Sequence, residues 1–242
     1  MVSEKIGIIG GSGFIGSNLQ QHFGEIAKVV PRLDRNRFRH QYDILINANG
    51  NSNKRLPETQ PLQDFDLSVH NTLKYLIEYN PNLYIHISSC EVYTGDTYEN
   101  SELDVAKMSR YGFSKYLSEC LVRNYCKKCL ILRLNGPIGP GLKKGAIYDI
   151  LHGKRLWVSA ESRFQLLHTK YICKFIDTLL SNGVTNEIFN LTGPDSVSLN
   201  DVIALHKPVE YPENPIINHN FNVEKANKLM NLPSSIESVR LL

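Results

Sequence analysis

The chain has 242 residues, a net charge of +3 and 42% hydrophobic content. That length supports a full core, while the charge is too mild and too scattered to argue for nucleic acid. Apolar runs fall well short of the roughly 20 residues that cross a bilayer, and Met1-Val2-Ser3-Glu4 runs straight into a strand pattern without a leader, so a cytoplasmic location is expected.

In chain order, Lys5 to Ile9 is a short apolar run and predicts a buried strand. Phe14 to Phe23 is patterned as a short helix. Ala27 to Val30 and Asp43 to Asn47 (DILIN) predict two more strands, and Phe65 to Tyr79 a helix. Leu83 to Ser88 (LYIHIS) predicts a fourth strand, Tyr111 to Tyr125 a helix and Leu130 to Leu134 (LILRL) a fifth strand. Ile147 to Leu151 and Tyr171 to Leu180 pattern as helices, Ile188 to Leu191 as a late strand, and Glu224 to Met230 as weakly helical. Apolar strands separated by helices predict an α/β chain: a doubly wound, Rossmann-like parallel sheet covered on both faces. Beyond Gly136 the alternation loses regularity, which predicts a small C-terminal lobe.

Five cysteines, an odd number, argue against a disulfide framework. Cys126 and Cys129 form a CxxC, but no second ligand pair follows at usable spacing, so no metal site is expected.

Three segments carry chemistry. GGSGFIG places Gly10, Gly13 and Gly16 after a strand and at the opening of a helix. One glycine makes the turn, one lets the backbone approach a pyrophosphate, and one lets helix and strand pack closely, with the diphosphate at the helix N-terminus. A glycine-rich turn without a ligand is the alternative. YGFSK sets Tyr111 and Lys115 at i and i+4 on one helix face. A nearby ammonium lowers a phenol's pKa and suits it to proton transfer. A solvated helix face is the bland alternative. ISSCEVY ends the fourth strand, where doubly wound folds place their sites, and Ser89 can there bond a substrate oxygen beside Tyr111.

With these motifs the chain resembles the extended short-chain dehydrogenase/reductases, the NAD-dependent epimerase/dehydratase family that acts on nucleotide sugars. GGSGFIG is similar to its GGxGxIG fingerprint, INANGNS to its NAAG-type segment, SSCEVY to SSxxVYG, YGFSK to YxxSK, and RLNGPIGPGL to RxxNVYGPG. The resemblance implies that Tyr111 is the acid/base, that Lys115 lowers its pKa and binds the nicotinamide ribose, and that Ser89 holds the reacting oxygen. It implies cofactor contacts from Gly10, Gly13, Phe14, Ile15, Gly16, Ala48, Asn49 and Gly50. Ser89, Cys90, Asn135, Arg163 and His168 are the implied substrate contacts. It further implies a Rossmann core over 1–136, a substrate lobe over 137–242 interleaved with late core elements, and a homodimer built on the helices at 65–79 and 111–125.

The departures narrow the chemistry. SVHNT (Ser68 to Thr72) lacks the family's structural Asn, and Arg163 in RFQLLHT is displaced by one position from the usual diphosphate ligand. The stretch between the second and third strands hardly holds the usual helix and strand. After the second strand, VVPRLDR offers Arg32 and Arg35, which favour NADP, and Asp34, which would favour NAD. Family dehydratases carry Asp-Glu after the catalytic Ser/Thr, where this chain has Cys90-Glu91. That disfavours a complete 4,6-dehydratase and leaves Glu91 as a candidate base. The expected activity is reduction of a 4-keto nucleotide sugar. An epimerase holding its cofactor tightly, and a non-catalytic dinucleotide binder, are the alternatives.

Overall fold

The run Ile6–Ile9 is buried at every residue, as a central strand covered on both faces must be. In the computed structural model, which describes residues 5–31 and 42–242, it is the first of ten strands: β1 (Ile6–Ile9), followed by helix α1 (Phe14–Phe23), β2 (Ala27–Val29) and β3 (Ile44–Asn47). Next come α2 (Leu56–Thr59), α3 (Pro61–Phe65), a π-helical turn at Asp66–His70 and α4 (Asn71–Tyr79). β4 (Leu83–Ser89), α5 (Arg110–Tyr125) and β5 (Cys129–Leu134) follow. The remainder is β6 (Pro137–Ile138), α6 (Ala146–Leu151), β7 (Arg163–Phe164), β8 (Leu167–His168) and α7 (Thr169–Ser181). The chain closes with β9 (Glu187–Leu191), β10 (Val197–Ser198), α8 (Leu199–Leu205), α9 (Glu224–Leu229) and α10 (Ser235–Val239).

Among the described residues the main sheet has six strands in the order β2-β1-β3-β4-β5-β9. β1 pairs in parallel with both β2 and β3, β3 with β4, and β4 with β5. After β1 the chain crosses to β2 on one side, and after β3 it crosses to β4 on the other. This makes the C-terminal ends of β1 and β3 a topological switch point, where open α/β sheets bind ligands. Among the described residues β2 is the edge strand on that side.

The chain divides into two compact units, Met1–Leu134 with Leu179–Phe189, and Asn135–Thr178 with Asn190–Leu242. In the first, Ile9, Leu45, Tyr84 and Ile131 from the sheet pack with Tyr75, Leu76, Tyr79 and Val122 from α4 and α5. Burying each such aliphatic side chain contributes roughly 1.5–3 kcal/mol. The second unit packs Ile138, Ile147, Ile150, Phe164, Val202 and Val239 around its own core. It also holds two small sheets, β6 with β8 and β7 with β10.

One expected helix differs. Instead of a single helix over 65–79, the chain starts earlier at Pro61 and passes through the π turn before α4. Pro61 can open a helix because its missing N–H would have had no partner there. The extra residue per turn at Asp66–His70 accompanies a bond to the neighbouring helix: the Ser68 carbonyl accepts from Ser118 Oγ on α5 at 3.1 Å.

Close packing of α1 on the first strand turn constrains its glycines. A Cβ at Gly16 would land on the Gly10 carbonyl oxygen, a backbone atom that cannot swing aside. Urea denaturation of Gly16→Ala should show a loss of about 1–3 kcal/mol from overpacking. Gly95→Ala, where a Cβ meets nothing within 4 Å, should stay within about 0.5 kcal/mol of wild type.

Candidate active site

The glycine turn and the end of β3 meet at the switch point. Gly10 adopts φ +78°, and a Cβ there would lie 2.9 Å from Ala48 and from the Asn49 nitrogen. The Gly13 N–H donates to Gly10 O at 2.8 Å, closing the turn. Gly13 then caps α1 without a side-chain hydrogen bond, and the first turn carries no acidic residue. The amides of Phe14, Ile15 and Gly16 therefore have no acceptor within the helix, and the positive end of its dipole is uncompensated. This cradle, free of Cβ atoms and rich in N–H donors, fits a pyrophosphate. Gly50, at φ +122°, follows on the β3 side, with a built Cβ 3.2 Å from Lys115 Nζ. Arg32, Asp34 and Arg35 lie outside the described residues.

Lys115 comes from α5, capped by Ser109, whose Oγ accepts from the Gly112 amide at 3.0 Å. Gly112 has its own reason: a Cβ there would collide with the Glu91 carbonyl, so this glycine lets α5 pack onto the turn after β4. That packing brings Tyr111, Lys115, Ser89 and Glu91 together. Lys115 Nζ lies 5.5 Å from the Tyr111 ring centroid. Ser89 lies near enough to the Tyr111 side chain to oppose the rise of its pKa, and its Oγ accepts from the Glu91 amide at 3.2 Å. Glu91 is ion-paired to Lys54, Nζ to Oε1 2.6 Å.

The electrostatics correct one expectation. Lys115 was expected to draw the Tyr111 phenol down. In the folded chain burial pushes it above its ordinary value, helped by the Glu91 and Asp64 carboxylates, against the opposing pull of nearby Ser89. Burial also lowers Lys115, to about 8, while Asp64 and Glu119 hold it up. Desolvation thus disfavours the charged form of both side chains and keeps the phenol protonated at neutral pH.

Beneath this pair, α5 buries a polar face: Tyr111, Ser114, Lys115, Ser118 and Glu119. Arg133 on β5 donates to both Glu119 carboxylate oxygens, with Nη2 to Oε2 at 2.7 Å. Glu119 also accepts from Ser88 Oγ at 2.5 Å, and Arg133 Nη1 donates to Tyr93 Oη at 2.8 Å. Cys90 is buried and donates its Sγ–H to the Arg133 carbonyl at 3.2 Å. Burial raises its thiol well above the ordinary value. Asp64, 1% exposed, accepts from Asn51 Nδ2 at 2.6 Å and from Ser114 Oγ at 2.5 Å.

The remaining substrate candidates belong to the second unit. Asn135 is buried, donates to the Gln165 carbonyl at 3.2 Å and contacts His219 Nδ1 at 3.0 Å. His168 is buried, its Nδ1 accepts from the Lys170 amide at 3.1 Å, and burial lowers its pKa. Arg163 is held by Ser196, donating to its carbonyl at 2.7 Å and its Oγ at 3.2 Å.

The profile of the NAD dependent epimerase/dehydratase family matches residues 6–192. The chain belongs to this family. Its fold is similar to that of UDP-galactose 4-epimerase, at 20% identity and TM-score 0.77 over 98% of this chain and 96% of that one. It is also similar to RMD from Pseudomonas aeruginosa complexed with NADPH, at 17% identity and TM-score 0.81 over 98% and 97%. The NAD dependent NDP-hexosamine 5,6-dehydratase TunA of tunicamycin biosynthesis aligns at 18% identity and TM-score 0.81 over 98% and 96%. No curated protein sequence matches.

In this epimerase/dehydratase chain, the position of the missing structural Asn is filled by Ser68, whose Oγ accepts from the Asn51 amide at 3.2 Å. Asp64, Asn51, Lys54 and the Glu119–Arg133 pair are parts of the site that sequence reasoning passed over. Asn51 lies within INANGNS and Arg133 opens RLNGPIGPGL, whereas Lys54, Asp64 and Glu119 belong to none of the quoted motifs. Only the polar buried face of α5, read against the apolar face expected of a sheet-packing helix, pointed to them. Among the described residues no helix is long and apolar enough to cross a membrane.

Proposed function

We propose that the chain is an NADP-dependent reductase of a 4-keto nucleotide sugar. The observation that carries this reading is the placement of the buried Tyr111 phenol beside Lys115, Nζ 5.5 Å from its ring centroid, in the same unit as the glycine cradle, with burial favouring the neutral phenol. Reduction of a ketone needs a proton donor at the carbonyl oxygen as hydride arrives at carbon. A phenol held protonated by burial starts in the required state. An epimerase must begin by removing a proton, which the same burial opposes. The nicotinamide, when bound, supplies the hydride.

The amides at the start of α1 would hold the pyrophosphate, Gly50 and Lys115 the nicotinamide ribose, and Ser89 the substrate oxygen. Arg32 and Arg35 support NADP over NAD. Asn135 and His168 are the proposed substrate contacts of the second unit. Arg163, its guanidinium engaged by Ser196, is a weaker one. Cys90 cannot serve as the acid that expels water in a dehydratase, because its raised thiol already donates to a backbone carbonyl. The epimerase reading keeps one supporting observation: the Glu91 carboxylate lies close enough to act on Tyr111. Exposed Leu62, Phe65, Ile77 and Phe113 on α3, α4 and α5 support a homodimer.

Fluorescence titration should show tighter binding of NADPH than of NADH, in both wild type and Tyr111→Phe. Turnover of a 4-keto nucleotide sugar should fall about 10²–10⁴-fold in the variant. Preference for NADH, or cofactor retained through purification, would favour the epimerase, and binding of neither would overturn both readings. Sedimentation equilibrium should report twice the 27.5 kDa chain mass; a single-chain mass would remove the dimer.

A further inference from the structure

Burying the Lys115 ammonium is costly unless an opposite charge compensates it. Two buried carboxylates lie close enough to act on it, Asp64 and Glu119. Glu119 is already committed: both its oxygens accept from Arg133, and one accepts from Ser88. Asp64 differs. Its two hydrogen-bond donors, Asn51 Nδ2 at 2.6 Å and Ser114 Oγ at 2.5 Å, are neutral. Both donors flank the lysine, Ser114 as its neighbour on α5 and Asn51 as the neighbour of Gly50, whose built Cβ lies 3.2 Å from Lys115 Nζ.

We infer that Asp64 is a positioning residue: its carboxylate, clamped between Ser114 and Asn51, is the counter-charge that keeps the Lys115 ammonium charged and in place beside Tyr111. This rests on the reading of Tyr111 and Lys115 as the reacting pair. The other charged groups around α5 are otherwise engaged. β4 brings His86, which burial lowers to about 3, so it is neutral at working pH. β5 brings Arg133, bonded to Glu119, and the turn after β4 brings Glu91, paired with Lys54. α2 brings Glu58, paired with Arg110 at the exposed start of α5. α4 brings the phenols Tyr75 and Tyr79, uncharged at neutral pH. With Lys115 at about 8, the ammonium is held at neutral pH only by a narrow margin. Losing Asp64 lowers the midpoint further, so Lys115 loses its proton as pH rises through neutrality.

The test follows lysine Nζ signals by NMR in ¹⁵N-lysine-labelled protein, with Lys115 identified by the signal lost in Lys115→Arg. Asp64→Asn should lower the Lys115 midpoint by about one unit or more, the size expected of a nearby opposite charge. Asp64→Glu should restore part of the shift. A folded Asp64→Asn protein with an unchanged midpoint overturns the inference. If Asp64→Asn does not fold, the double variant Asp64→Asn/Lys115→Met decides: a double variant that folds supports charge compensation, and one that does not overturns it. Neither measurement needs substrate or cofactor. Failure of the reductase reading would appear as a wild type without turnover, while the Lys115 midpoint reports on Asp64 alone.

Discussion

Helix α5 sets the terms for the rest of the first unit, because it packs a polar face where a sheet-covering helix would bury an apolar one. Glu119 and Arg133 are each almost fully buried and bonded through two carboxylate oxygens. Removing one partner of such a pair typically costs about 3–5 kcal/mol, whereas the intact pair contributes far less. The pair therefore acts more as a register pin than as glue. It ties α5 to β5, and through Ser88 to the end of β4. Ser89 is the next residue, and Tyr111 and Lys115 lie one to two turns back along α5. The pin thus fixes the three side chains relative to one another.

The site inherits its chemistry from that burial. An exposed tyrosine and lysine at i and i+4 would titrate near their ordinary values. Here the phenol moves up and the ammonium down, because the same dry surroundings oppose charge on either. The cofactor cradle arises separately, from backbone rather than side chains. The connections after β1 and β3 part at the switch point, Gly10 turns there against Ala48, and α1 begins with unpaired amides. The same end of the sheet thereby holds a helix N-terminus with unpaired amides and, where α5 packs on the turn after β4, the buried Tyr111 phenol.

Much of this was legible in the sequence. Of the strands of the first unit, β1 and β3 read clearly as short apolar runs, β4 and β5 as mostly apolar runs carrying His86 and Arg133, and β2 as a short edge segment around Lys28. Helix α1 reads from the sequence at Phe14–Phe23 as a short helix opened by the glycine turn. Tyr111, Lys115, Ser89 and Glu91 were named from their motifs, and the fold brings them together. The π turn at Asp66–His70 was not legible, since a one-residue insertion leaves helical periodicity intact on either side. Asp64 was invisible for a related reason: a single acid on a helix reads as solvated surface until tertiary packing covers it. The direction of the Tyr111 shift was misread because proximity to an ammonium is visible in i and i+4 spacing, whereas desolvation is not.

The central claim is that Tyr111 protonates a sugar carbonyl while hydride arrives from the nicotinamide. The most direct measurement incubates the enzyme with NADPH deuterated at nicotinamide C4 and a 4-keto nucleotide sugar, then reads the product by mass spectrometry and NMR. The account predicts a product one mass unit heavier, with the deuterium at C4 of the sugar and one cofactor oxidised per product formed. Product that forms without deuterium, or without net oxidation of the cofactor, would contradict it.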